Sequence, residues 1–188
     1  PSILITGANR GLGLEFCRQY LIDGWRVHAC CRNPANASDL VSVGASGTGQ
    51  LHVHCMDIGE PEQIEAVASD LAGQPLDVLL DNAGIADGYG LGAYENKDDP
   101  DIRNYDFDLW SELLRINTIA PARITGAFLD NIEAGDQRKI VNISSGLGSI
   151  KNMSIAGKYG YCSSKAALNM ITRGLSHWLK TKGIIIVP

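Results

Sequence analysis

Short apolar runs alternate along the chain with longer stretches of helical period. Six runs rich in Ile, Leu and Val read as strands: Ile3–Thr6, Arg26–Cys31, Leu51–Met56, Val78–Asp81, Lys139–Ile143 and Ile184–Val187. Between them lie helix patterns. Leu12–Leu21 carries Phe16, Cys17, Tyr20 and Leu21 on one broad face, and a short helix is expected over Ala37–Val43. Pro61–Ala72 opens with a proline and acids in its first turn, a favoured helix start. A long helix is expected over Phe107–Ile132, with apolar residues at 109, 113, 116, 120, 124 and 128, and another over Tyr159–Thr181. The stretch Ala86–Asp106 lacks period and is rich in Gly, Asp, Asn and Tyr, so it reads as a long loop of the functional or mobile kind.

Strands that alternate with helices build a parallel sheet with right-handed crossovers. Nearly continuous Ile, Leu and Val runs fit a sheet covered on both faces. The expected fold class is α/β, a doubly wound parallel sheet in three layers, α/β/α, formed by residues 1–188 as one domain. At 188 residues, 45% hydrophobic and 20% charged, the composition is that of an ordinary globular domain. The net charge of −5 argues against a nucleic-acid partner, and no apolar run reaches the length of a membrane span. The chain enters its first strand directly, without the charged and apolar regions of a signal peptide. Its five cysteines form no C-x-x-C pair. They read as small buried apolar residues of a reducing, cytoplasmic compartment. His52 and His54 share a strand face with no third ligand nearby in sequence, so no metal site is expected.

Four motifs carry the chemistry. Thr6-Gly7-Ala8-Asn9-Arg10-Gly11-Leu12-Gly13 lies between the first strand and first helix. Gly7 permits the turn, Gly11 a close approach to a pyrophosphate, and Gly13 close packing of helix on sheet. The helix N-terminus offers free N–H groups and a positive dipole end. The spacing is G-x-x-x-G-x-G, not the common G-x-G-x-x-G. Asp81-Asn82-Ala83-Gly84 ends the fourth strand and Asn142-Ile143-Ser144-Ser145 the fifth, at the sheet edge where α/β ligands bind. Tyr161-Cys162-Ser163-Ser164-Lys165 places a phenol and an ammonium on one helix face. A cation beside a phenol favours the phenolate, which equips a tyrosine for proton transfer.

In this order the motifs resemble those of the short-chain dehydrogenase/reductase family over essentially the whole chain, on a Rossmann-type fold. Residues 3–14, Cys31-Arg32-Asn33 and the long step from Ser145 to Tyr161 resemble its sniffer / C-factor group of carbonyl reductases. The resemblance implies reversible hydride transfer between a nicotinamide cofactor and a small-molecule carbonyl or alcohol. It makes Tyr161 the general acid/base, and Lys165 the group that holds the nicotinamide ribose and eases the ionisation of Tyr161. Ser145, or its neighbour Ser144, orients the substrate oxygen, and Asn117 is the fourth member. Pro121 lies four residues after Asn117 and has no N–H for its carbonyl. An irregular helix is expected there, with that carbonyl free for a proton-relay water.

The second strand ends Cys30-Cys31-Arg32 without the acid that binds an NAD ribose. Arg10 and Arg32 favour a 2′-phosphate, so NADP(H) is expected over NAD(H). Gly7, Asn9, Arg10, Gly11, Leu12, Gly13, Arg32, Asn82, Ala83, Gly84, Tyr161 and Lys165 are the expected cofactor contacts. Asp57 and Ile58 resemble the family's adenine-binding pair. Tyr89, Tyr94 and Tyr105 of the 86–106 loop are candidates for the border of the substrate pocket, against the plainer reading of an exposed surface loop. Asp81 stands where the family usually has asparagine, which implies altered hydrogen bonding. The family continues past strand six into a substrate lid and a last strand, and often forms dimers or tetramers through its fourth and fifth long helices. The alternative is a non-catalytic or weakly active NADP-binding signalling protein.

Overall fold

The strands pair in the order β3-β2-β1-β4-β5-β6, all parallel. They are β1 Ser2–Thr6, β2 Arg26–Cys31, β3 Gln50–Cys55, β4 Val78–Asp81, β5 Lys139–Asn142 and β6 Ile185–Val187. The structure is a computed structural model and describes residues 1–86 and 100–188. The helices are α1 Gly11–Ile22, α2 Ser38–Ser46, α3 Pro61–Asp70, α4 Phe107–Leu114, α5 Ala120–Ala127, α6 Leu129–Ala134 and α7 Tyr159–Leu179.

Alternation along each strand sorts side chains to two cores. Ile3, Ile5, Val27 and Leu80 meet Cys17 and Leu21 of α1 and Leu40 of α2. Leu4, Leu79, Ile140 and Ile186 face the opposite way, onto Ile64 of α3, Ile124 of α5, Phe128 and Leu179 of α7. The expected three layers are present. The strand order reverses between β1 and β4, which opens the ligand crevice of this architecture at their carboxyl ends.

The expected single helix from 107 to 132 is instead α4, a π-turn over Arg115–Ile119, α5 and α6. The Ala120 N–H reaches back five residues to the Arg115 carbonyl. Pro121 explains it: a regular turn would drive the proline ring into the Asn117 carbonyl and find no N–H there.

Four cysteines are buried as expected, but Cys55 is exposed. It ends β3, an edge strand. β2 also brings His28 beside His52 and His54. His28 Nδ1 lies 3.1 Å from His54 Nε2, and burial lowers His28 to about 4. Among the described residues no group of three His, Cys, Asp or Glu is arranged to hold a metal ion, and no helix is long and apolar enough to cross a membrane.

Candidate active site

The β1–α1 turn is held by a residue that the motif reading quoted but did not assign. The buried Thr6 hydroxyl accepts from the N–H groups of Asn82 and Ala83, each at 3.0 Å. Asn82 Nδ2 donates back to the carbonyls of Thr6 at 2.9 Å and Gly7 at 3.2 Å. The first two motifs are thus one hydrogen-bonded unit. Gly13 sits against it: a β-carbon there would meet the Gly7 carbonyl and stand 2.6 Å from Asn82 Nδ2.

Helix α1 begins with no side-chain cap and no acid in its first turn. Its N–H groups and dipole end therefore remain for an anion. Gly11 adopts φ 55°, and a β-carbon there would meet nothing within 4 Å. An uncapped helix start behind an open glycine fits a pyrophosphate. Asn9 is half-buried in this turn, while Leu12 and Arg10 are exposed beside it. Arg32 is exposed just past β2, and neither arginine has an ion-pair partner among the described residues.

Asp57 follows β3. One carboxylate oxygen accepts from the Gly59 N–H at 2.9 Å, which leaves the other for a ligand. Ile58 is buried in the α3-side core.

Beyond β4, Asn117 holds the chain in place. Its Oδ1 accepts from the Ile85 N–H at 2.9 Å, and its Nδ2 donates to the Ile85 carbonyl at 2.8 Å. Nδ2 also reaches Ser164 Oγ on α7 at 3.1 Å. The side chain is 1% exposed, so it braces the Asn82–Ile85 segment against α7. A β-carbon at Gly84 would stand 3.0 Å from Asn117 Oδ1 and 3.7 Å from Lys165 Nζ.

Lys165 is 6% exposed, and its Nζ donates to the Ile143 carbonyl at 2.8 Å. It lies 5.9 Å from the centre of the half-buried Tyr161 ring. Burial pulls the ammonium down to about 8. The two serines after β5 separate cleanly. The Ser144 hydroxyl donates to Asn169 Oδ1 at 2.6 Å, whereas Ser145 Oγ only accepts a 3.2 Å bond from the Leu147 N–H. Ser145 keeps its proton for another partner. Asn169 had no signal in the sequence, because its role depends on contact with a loop more than 20 residues away.

Tyr105 does not border the crevice as expected. It is buried against Trp110 and Tyr159, and its hydroxyl accepts from the Gly160 N–H at 2.9 Å, anchoring the start of α7. Tyr89 and Tyr94 lie outside the described residues.

A family profile described as short chain dehydrogenase matches residues 1–188. The chain belongs to the short-chain dehydrogenase family. Among its curated relatives, the (+)-neomenthol dehydrogenase of Arabidopsis thaliana is 32% identical over 163 residues, covering 80% of this chain. The chain spans 55% of that relative's length. The NADPH-bound carbonyl reductase from chicken fatty liver superposes with a TM-score of 0.83 at 33% identity, over 98% of this chain and 76% of that one. The carbonyl reductase Sniffer of D. melanogaster gives 0.83 at 30% identity, over 97% and 77%.

Proposed function

We propose that this dehydrogenase is an NADP(H)-dependent carbonyl reductase, with Tyr161, Lys165, Ser145 and Asn117 as its working set. The observation that carries the reading is the buried Lys165. Its ammonium is fixed on the Ile143 carbonyl, beside Tyr161 and within reach of the Asn82–Gly84 turn.

The nicotinamide cofactor supplies the hydride. Gly7, Gly11, Gly13 and the start of α1 bind its pyrophosphate, and Arg10 and Arg32 its 2′-phosphate, since guanidinium groups take phosphate oxygens in pairs. Asp57 offers its free oxygen to the adenine amino group. The Tyr161 hydroxyl donates its proton to the substrate oxygen in reduction, and Ser145 Oγ donates a hydrogen bond to that same oxygen. Lys165 holds the ribose hydroxyls and favours the phenolate left behind. Asn117, fully engaged with Ile85 and Ser164, acts as a positioning residue. Its main-chain carbonyl, to which Pro121 can offer no N–H, is the place for the water that returns the proton. The substrate is a small aldehyde, ketone or quinone in the cytoplasm. Copies of the chain pair through α4 and α7, which pack on each other and leave Phe107, Met170 and Trp178 exposed.

The test is binding of NADPH and NADH, followed by cofactor oxidation over a panel of carbonyl compounds. NADPH is expected to bind the more tightly. Tyr161→Phe is expected to lower turnover by about 10²- to 10⁴-fold, the worth of a general acid. A fully active Tyr161→Phe variant would falsify the assignment.

A further inference from the structure

Among the described residues, four buried side-chain atoms have no hydrogen-bond partner: both carboxyl oxygens of Asp81, Oδ1 of Asn142 and Oγ1 of Thr125. The first three meet at one place. Asp81 and Asn142 are partners in the last register of β4 and β5, so their side chains leave the same face of the sheet. They are 3% and 2% exposed. The Asn142 amide donates through Nδ2 to Thr172 Oγ1 at 2.8 Å, while its Oδ1 has nothing to accept. Ionised, Asp81 would add two further acceptors and no donor.

No cation compensates. Burial alone acts on the Asp81 carboxyl, holding it well above the usual carboxylate range. The titratable group coupled to it is the Cys30 thiol of β2, itself pushed up by complete burial and held neutral. On β1, the Thr6 hydroxyl accepts from Asn82 and Ala83 and makes no hydrogen bond to the Asp81 oxygens. On α7, Thr172 is engaged by Asn142, and Lys165 by the Ile143 carbonyl. On α5, Thr125 carries only a hydroxyl. Turning the Asn142 amide over would aim Nδ2 at Asp81, but would leave a buried anion with one neutral donor.

One proton removes the fault. We infer that Asp81 is a neutral acid in the folded chain and donates its O–H to Asn142 Oδ1, a positioning contact that ties β4 to β5 beneath the Asn82–Gly84 turn. The contact stands by itself; its bearing on catalysis rests on the carbonyl reductase reading. The route to the site is one peptide long. The Asp81 carbonyl accepts from the Ile143 N–H at 2.9 Å, and the Ile143 carbonyl accepts from Lys165 Nζ at 2.8 Å. Asn82, the next residue, holds Thr6 and Gly7. Ionising Asp81 draws water between the strand ends and loosens the seat of Lys165.

Carboxyl-carbon NMR, with Asp81→Asn to assign the signal, reads the proton directly. The Asp81 signal is expected at the neutral-acid position at pH 7, and a carboxylate signal there overturns the inference. Stability gives a second reading. The folded value lies above the ordinary 3.8, so the unfolded chain loses this proton first as pH rises. Wild type therefore loses stability from about pH 4 upward, until the folded value is reached. Asn cannot ionise, so the melting temperature of Asp81→Asn relative to wild type is expected to climb as pH rises above about 4. A difference that stays constant or falls overturns the inference. For the positioning role, NADPH affinity is expected to be kept by Asp81→Asn, which can still donate, and lost several-fold by Asp81→Leu. Equal affinities overturn that role. Failure of wild type to bind NADPH at all would count against the carbonyl reductase reading, and the first two measurements would still decide the protonation.

Discussion

Lys165→Met isolates the electrostatics of the site. Lys165 is 6% exposed, and burial moves its ammonium from 10.5 to about 8. At roughly 1.4 kcal/mol per pH unit, that displacement disfavours the charged form by about 3 kcal/mol. The folded chain releases this proton near pH 8 and the unfolded chain near 10.5. In that window the unfolded state binds one proton more, so this group makes stability rise with pH. Below about pH 8 its full cost is present. Methionine keeps a similar shape and carries no charge. The difference in unfolding free energy, wild type minus variant, is expected to be flat up to about pH 7.5 and to rise by about 2 kcal/mol by about pH 9.5. Urea melts without cofactor measure it. The hydrogen bond lost at Ile143 offsets the curve by a constant and leaves its slope alone. A difference that stays flat up to about pH 10 refutes the buried-ammonium argument, because Lys165 would then titrate alike in both states.

Two further substitutions probe the cofactor end. Gly13→Ala places a β-carbon against the Gly7 carbonyl and 2.6 Å from Asn82 Nδ2. It is expected to lose about 1–3 kcal/mol of stability by overpacking and to bind NADPH more weakly. Gly11→Ala meets open space and bears only left-handed backbone strain, about 1–2 kcal/mol; if it lowers stability by clearly more than Gly13→Ala, the packing argument is wrong. Arg32→Ala and Arg10→Ala each remove a charged hydrogen-bond donor worth about 1.5–3 kcal/mol. NADPH affinity should fall by about tenfold or more while NADH affinity holds. An equal loss for both cofactors means that these arginines do not read the 2′-phosphate.

Much of this arrangement was legible along the chain. All six strands lie within two residues of the apolar runs, because a buried strand and its turn residues are local signals. The glycine motif, Asn82–Gly84, Ser145 and the Tyr161–Lys165 pair fall at the carboxyl edge because parallel crossovers bring every strand end to one side. The proline at 121 announced an irregular helix, although not that the relief is a π-turn over Arg115–Ile119. The sequence favoured Ser145 with Ser144 as its neighbouring alternative; only the fold shows that the Ser144 hydroxyl is spent on Asn169. Tyr105 was misread because an aromatic residue in a polar stretch looks exposed until Trp110 and Tyr159 pack on it.

By itself the sequence determined the period of each element, the order of strands and helices, and which reactive residues exist. These follow from contacts a few residues apart. Tertiary structure decided who bonds to whom. Thr6 meets Asn82 across 76 positions, Asn117 meets Ile85 across 32, and Lys165 meets the Ile143 carbonyl across 22. Partners that far apart leave no periodic trace, since one hydrogen bond constrains two side chains and nothing between them. Asp81 shows the difference most plainly. In the sequence it is an acid where asparagine is usual; in the sheet it lies beside another acceptor with no cation in reach, and burial keeps it neutral.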